Sequence, residues 1–254
     1  MTCRDRLRAA ERWLLVPECM TCGAAVTEAG EPLVCAVCRM RWRALPAPVC
    51  VTCGEPTDLG LACRLCVAWP DGISGVRSAV RLDAPIRELI HAFKYDGWWR
   101  LADAFAIRMA PLLAAQGADA DLVPVPLTRR RRNARGYNQA AHLADALGRL
   151  TGMPVDRGRV RRVRDTGTQT RLTPAMRLVN VTGAFTARST ARRAVLVDDV
   201  FTTGATLCSA ATALLEGGAE AVSALTFARA APPLTDAAAR IDITTLLRSS
   251  EASA

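Results

Sequence analysis

The chain has 254 residues, half of them apolar, with a formal net charge of +9 and a sequence pI near 9.4. That length holds one large domain or a medium domain beside a small one, and the charge favours an anionic partner, a nucleic acid or a phosphorylated small molecule. Lys94 is the only lysine and Tyr95 follows it, which excludes a Gly-x-x-x-x-Gly-Lys-Ser/Thr loop and the ATPases and helicases that need one.

In chain order, residues 1–16 are expected to form an N-terminal helix. Glu11 and Arg12 interrupt its apolar stretch, which is too short for a signal peptide, and no later apolar run approaches the roughly 20 residues that cross a bilayer. A cytoplasmic protein without membrane insertion is the expectation. Nine of the ten cysteines precede residue 67. In a reducing compartment such density points to metal rather than disulfides.

Residues 17–70 carry four Cys-x-x-Cys pairs, at Cys19 and Cys22, Cys35 and Cys38, Cys50 and Cys53, and Cys63 and Cys66. Each such turn presents two thiolates to one side of a metal, and two turns complete a closed tetrahedral zinc site. Two structural Zn2+ ions are therefore expected in a double zinc ribbon. Sequential pairing puts Cys19, Cys22, Cys35 and Cys38 on one ion and Cys50, Cys53, Cys63 and Cys66 on the other; crossed pairing is the alternative. A thioredoxin-like redox site has one such pair, not four in ribbon spacing.

A boundary falls near PDGISG, residues 70–75, and a second domain is expected over 74–230, followed by a tail over 231–254. Strands are expected at 76–82, 121–126, in AVLVDD (194–199) and at 221–228. Between them, apolar residues recur at helical spacing over 84–95, 100–113, 136–152 and from Ala205 to the Gly217-Gly218 stop. Strands separated by helices imply an α/β fold, a parallel sheet with helices on both faces.

The stretch VLVDDVFTTGAT (195–206) holds the chemistry. Ligands of a parallel sheet collect beyond the carboxyl ends of its strands, where the next helix presents unpaired N–H groups. Thr202, Thr203, Gly204, Ala205 and Thr206 would cradle a phosphate, Gly204 allowing close backbone approach. Asp198 and Asp199 cannot bind that phosphate but can accept hydrogen bonds from a diol or face a metal, so a ribose 5-phosphate suits both halves. A Walker B strand needs the absent phosphate loop, and a response-regulator pocket needs a downstream lysine. An N-cap aspartate with a solvated neighbour leaves the threonines unexplained.

VLVDDVFTTGATL resembles the signature of type I phosphoribosyltransferases, which bind phosphoribosyl pyrophosphate (PRPP) with Mg2+. With the four cysteine pairs, LIHAFKYDG (89–97), LVPVPLTRRRRNARGYNQA (122–140) and the later TQTRL pattern, the chain is similar to the ComF family, competence-associated proteins that join a double zinc ribbon to such a domain. The resemblance implies PRPP-dependent transfer to an acceptor and a part in DNA uptake. It places the ribose on Asp198 and Asp199 and the 5′-phosphate on Thr202 through Thr206. It makes Pro126, Leu127, Thr128 and Arg129 candidates for the pyrophosphate loop, with Arg129 and Arg135 stabilising the leaving group. Asn138 and Gln139 would reach the same pocket or a nucleic-acid strand, and Gln169 and Arg171 belong to a flexible loop over the site.

Glutamine-dependent chemistry is not expected, since Cys3 is not terminal. His91 and His142 read as packing or surface residues, Cys208 as core, and Trp98 and Trp99 as helix packing. Tyr137 is the residue expected to stack on single-stranded nucleic acid. Two other classes of function stand beside the enzyme: a factor binding single-stranded DNA through the ribbons and the 129–135 arginines, together with DNA-uptake proteins, or a PRPP-sensing regulator.

Overall fold

The computed structural model describes residues 18–26, 33–57, 63, 66, 69, 71–113, 119–164, 183–188 and 192–230. The helix expected over 1–16, the tail over 231–254, and Gln169 and Arg171 lie outside the described residues.

Four parallel strands form the central sheet: β1 (Ile73–Arg81), β2 (Ala120–Pro124), β5 (Arg193–Phe201) and β6 (Val222–Arg229), in the order β1-β6-β5-β2. β3 (Val160–Arg162) and β4 (Phe185–Ala187) make a separate antiparallel pair, which periodicity did not reveal. Every residue of β6 is buried, as a strand covered on both faces requires. A hydroxyl pair between it and β1, Ser78 Oγ to Thr226 Oγ1 at 2.7 Å, satisfies two buried polar groups at once.

Side chains alternate across a strand, and the core divides accordingly. Val195 and Val197 of β5 join the cluster under α2 (Ala84–Tyr95), α3 (Leu101–Met109) and α5 (Gln139–Thr151), whereas Leu196 joins the cluster under α6 (Ala205–Glu216). α2 starts with a proline in its first turn, where the missing N–H is harmless, and buries Ile86, Leu89, Ile90 and Phe93 on one face.

Among the differences from expectation, three bear on the site. RRRRNAR, read as an arginine-rich segment, is α4 (Arg129–Arg135), following the five-residue α1 (Ala36–Met40), α2 and α3. The helix expected from residue 136 starts at Gln139, because Asn138 caps it by accepting from the Ala140 N–H at 3.1 Å. β5 continues past Asp199 to Phe201, since β6 stays paired with it out to Arg229. β2 ends opposite Val197. Residues Asp198 to Phe201 therefore have a strand on one side only.

Candidate active site

Asp198 and Asp199 sit on that one-sided end of β5. Asp199 is 6% exposed and its Oδ1 lies 2.8 Å from Nζ of Lys94. Asp198 accepts the Asp199 backbone N–H at 2.9 Å. Burial first, and the Asp199 charge second, push the Asp198 carboxyl up to about 7, against the opposing pull of Lys94, that N–H and Arg135. Asp198 thus exchanges a proton near neutral pH.

Lys94 reaches the acids from the C-terminal end of α2, which is stitched to the turn between α4 and α5. Gln139 donates to the Lys94 carbonyl at 3.3 Å and accepts from Arg135 at 3.0 Å. Arg135 donates to the Tyr95 hydroxyl at 3.1 Å and lies 4.8 Å above its ring. Asn138 donates to the Val125 carbonyl at 3.1 Å, tying the turn to the loop after β2. Arg135 and Gln139 therefore brace the end of α2 that carries Lys94, and Asn138 braces the loop after β2. Lys94 and Tyr95, noted in the sequence as the lone lysine and its neighbour and as part of LIHAFKYDG, were not assigned to the site. Their signal was compositional: one lysine in a chain with 33 basic residues.

After Phe201, Thr202 is exposed, Thr203 and Thr206 are half-buried, and Gly204 and Ala205 are buried. Gly204 has φ +77°, which only glycine adopts without strain, and it redirects the chain into α6. The first N–H groups of α6 have no partner within the helix and face this turn, the arrangement that favours an anion.

In the segment expected to hold pyrophosphate, Pro126 and Leu127 are half-buried, and buried Thr128 caps α4 by accepting the Arg131 N–H at 3.1 Å. Arg129 is the exposed first residue of α4. Pro126 and Leu127 line a cavity of about 310 Å³ with Arg132, Asn138, His142 and Arg157, and neither aspartate lines it. Tyr137, expected to stack on bases, is half-buried and donates its hydroxyl to the Phe93 carbonyl. Trp98 and Trp99, expected to pack, are 45% and 48% exposed. His91 is exposed beside Asp96, His142 stacks on Trp99, and Cys208 is buried.

Cys19, Cys22, Cys35 and Cys38 gather their sulfurs within 4.8 Å of one another, as do Cys50, Cys53, Cys63 and Cys66. This is the sequential pairing. The donors fit zinc chemically: burial raises the Cys19 thiol, yet N–H groups of Cys35, Thr21 and Cys22 outweigh it and bring it down to about 6. Burial is likewise outweighed at Cys50, which falls to about 7 through the Cys53 and Thr52 N–H groups. One low thiol per cluster gives a metal its first thiolate near neutral pH.

Residues 10–67 match the family model of the double zinc ribbon domain. The competence protein ComFC of Bacillus subtilis (strain 168) is 31% identical over 205 residues, spanning 77% of this chain and 84% of that protein. The chain belongs to the ComF family. The DNA utilization protein YhgH of Escherichia coli (strain K12) is 32% identical over 74% of this chain and 87% of its own length. Among solved structures, a purine phosphoribosyltransferase from Pyrococcus horikoshii superposes with a TM-score of 0.30 and 20% identity, over 52% of this chain and 74% of that one. This ComF-family chain has the expected parallel sheet flanked by helices, with two four-cysteine zinc sites before it. No helix among its described residues is long and apolar enough to cross a membrane.

Proposed function

We propose that this ComF-family protein is a cytoplasmic, PRPP-dependent phosphoribosyltransferase that serves in DNA uptake, with its transferase domain over 74–230 and its ribbons over 17–70. One observation carries the reading: a lysine-tethered acid pair on the open end of a parallel strand, directly before a left-handed glycine turn and the N-terminus of a 12-residue helix. The two relatives are named for competence and for DNA utilization.

In this reading Asp198 and Asp199 accept hydrogen bonds from the ribose 2′ and 3′ hydroxyls, and the N–H groups of Thr202 to Thr206 hold the 5′-phosphate. The bond from the anomeric carbon to pyrophosphate breaks, a bond to the acceptor forms, and the acceptor proton passes to solvent. The transition state has oxocarbenium character, so holding the reactants in line supplies much of the rate. Arg135, held in place by Gln139 and Tyr95, and Arg129 at the mouth of the loop offer cationic charge to the departing pyrophosphate. Mg2+ suits the hard oxygens of the acid pair together with substrate phosphates, and when bound it neutralises pyrophosphate charge. The test is acceptor-stimulated pyrophosphate release from PRPP across a panel of amines and nucleobases. PRPP binding without any stimulated release would make the protein a PRPP sensor instead.

A second reading has its own support. Tyr95, Trp98 and Trp99 are exposed, Tyr95 lies under Arg135 of α4, and Arg129, Arg130 and Arg132 of that helix are exposed as well. Aromatic faces with arginines suit a single strand of nucleic acid. Affinity for an oligothymidylate should fall steeply between 50 and 200 mM salt, roughly as the number of phosphates contacted; absence of binding at low salt removes this reading.

A further inference from the structure

We propose that the second zinc ribbon positions the phosphate loop, with Trp69 as the wedge and Arg229 as the tie, so that the loop keeps its ligand-binding shape only while the Cys50, Cys53, Cys63 and Cys66 site is intact. The inference rests on the reading of Thr202 to Thr206 as the phosphate cradle.

Trp69 follows the last ligand of that site by three residues and donates its backbone N–H to the Cys66 carbonyl at 3.0 Å. Its ring is buried against the loop. A Cβ added to Gly204 would lie 2.6 Å from Cζ2 of Trp69 and 3.0 Å from the Phe201 ring. The wedge therefore meets the backbone at the one left-handed residue that turns β5 into α6. Trp69 and Phe201 lie ring to ring, with centroids 6.1 Å apart.

A second line of contacts runs from the same ribbon to the same phenylalanine. Arg229, 2% exposed, donates to the Cys53 carbonyl at 2.7 Å and to Glu55 at 2.7 Å, and its guanidinium lies 3.9 Å from the Phe201 ring centroid. The Cys50–Glu55 turn is itself fixed to β1: the Val76 N–H donates to the Thr52 carbonyl at 2.6 Å, and a Cβ on Gly54 would lie 2.6 Å from the Val76 carbonyl oxygen. Opening the ribbon would strand a buried guanidinium and withdraw the wedge, both next to Phe201 and Gly204. The first ribbon makes no such link among the described residues: Cys19 and Cys38 pack in the opposite core cluster, on the side of Phe105 and Phe227. It serves as the internal control.

Hydrogen exchange of the 201–206 amides, zinc content and PRPP calorimetry on the full chain test this together. Trp69→Ala, which keeps all ligands, is expected to raise loop exchange and weaken PRPP binding at least tenfold each, while Trp69→Phe restores most of both. Cys63→Ser/Cys66→Ser should lose one zinc and reproduce the loop effect, whereas Cys19→Ser/Cys22→Ser should lose one zinc and leave loop exchange within twofold. Exchange at 201–206 that stays unchanged in Trp69→Ala, with exchange in β2 and α5 native-like, overturns the proposal. If wild type binds no PRPP, the functional reading falls, and loop exchange still decides whether the ribbon holds the loop.

Discussion

Replacing Lys94 with methionine isolates the contact on which the acid pair depends. Lys94 and Asp199 are 2.8 Å apart, with side chains 20% and 9% exposed. At an effective dielectric of about 20, that separation corresponds to a gross attraction of about 6 kcal/mol, and breaking one partner of a buried pair typically costs about 3 to 5 kcal/mol net. Partial exposure of the ammonium puts the expected loss at the lower end, about 3 kcal/mol at pH 8. The sign with pH follows from Asp198, whose folded carboxyl is pushed up to about 7 from the ordinary 3.8. The folded state holds the extra proton between those values, so wild-type stability falls as pH rises through that window. Without Lys94 the pair keeps its proton to higher pH, and the loss shrinks at pH 5.5, where protonation relieves the repulsion. Urea unfolding of both proteins at pH 5.5 and pH 8 measures it. A loss under about 1 kcal/mol at pH 8, or the same loss at both pH values, would refute the reasoning.

Three further outcomes are expected. Gly204→Ala forces a Cβ into a backbone with φ +77° and 2.6 Å from Trp69; it should cost about 1 to 3 kcal/mol in thermal or urea unfolding and weaken PRPP binding more than it weakens the fold. Zinc stoichiometry should be two per chain, and because protons compete with the metal for the thiolates, apparent zinc affinity measured against a chromogenic chelator should fall as the pH is lowered. Arg159, fully buried, bonds to Asp121 at 3.2 Å and to the Arg192 carbonyl at 2.6 Å, far from the acid pair in the register of β2 and β5; Arg159→Met should cost about 3 kcal/mol of stability while leaving PRPP affinity of the folded protein within about twofold.

What the sequence made legible was local. Cysteine spacing announces a metal site because one turn sets the geometry, and α2 and the 205–216 helix follow from apolar residues at helical period. The acid pair and the threonine turn were readable because strand, loop and helix lie within a dozen residues. Lys94 was not, because its partner is 105 positions away, at Asp199, and only the sheet order brings α2 over β5. The same holds for Arg229 with Glu55, a pair 174 positions apart. α4 escaped notice because RRRRNAR has no apolar face; it forms under the Thr128 cap, with Arg135 anchored on Tyr95 and Gln139. β5 runs beyond Asp199 because β6 keeps pairing with it, which no property of VLVDD foretells.

The most direct measurement is calorimetry of PRPP binding with and without Mg2+, on the zinc-loaded wild type and on Asp198→Asn/Asp199→Asn. Mg2+-dependent binding by wild type that disappears in a double mutant retaining its fold is the expected result. No binding by wild type, or equal binding by the mutant, would contradict the assignment of the acid pair to the ribose of PRPP.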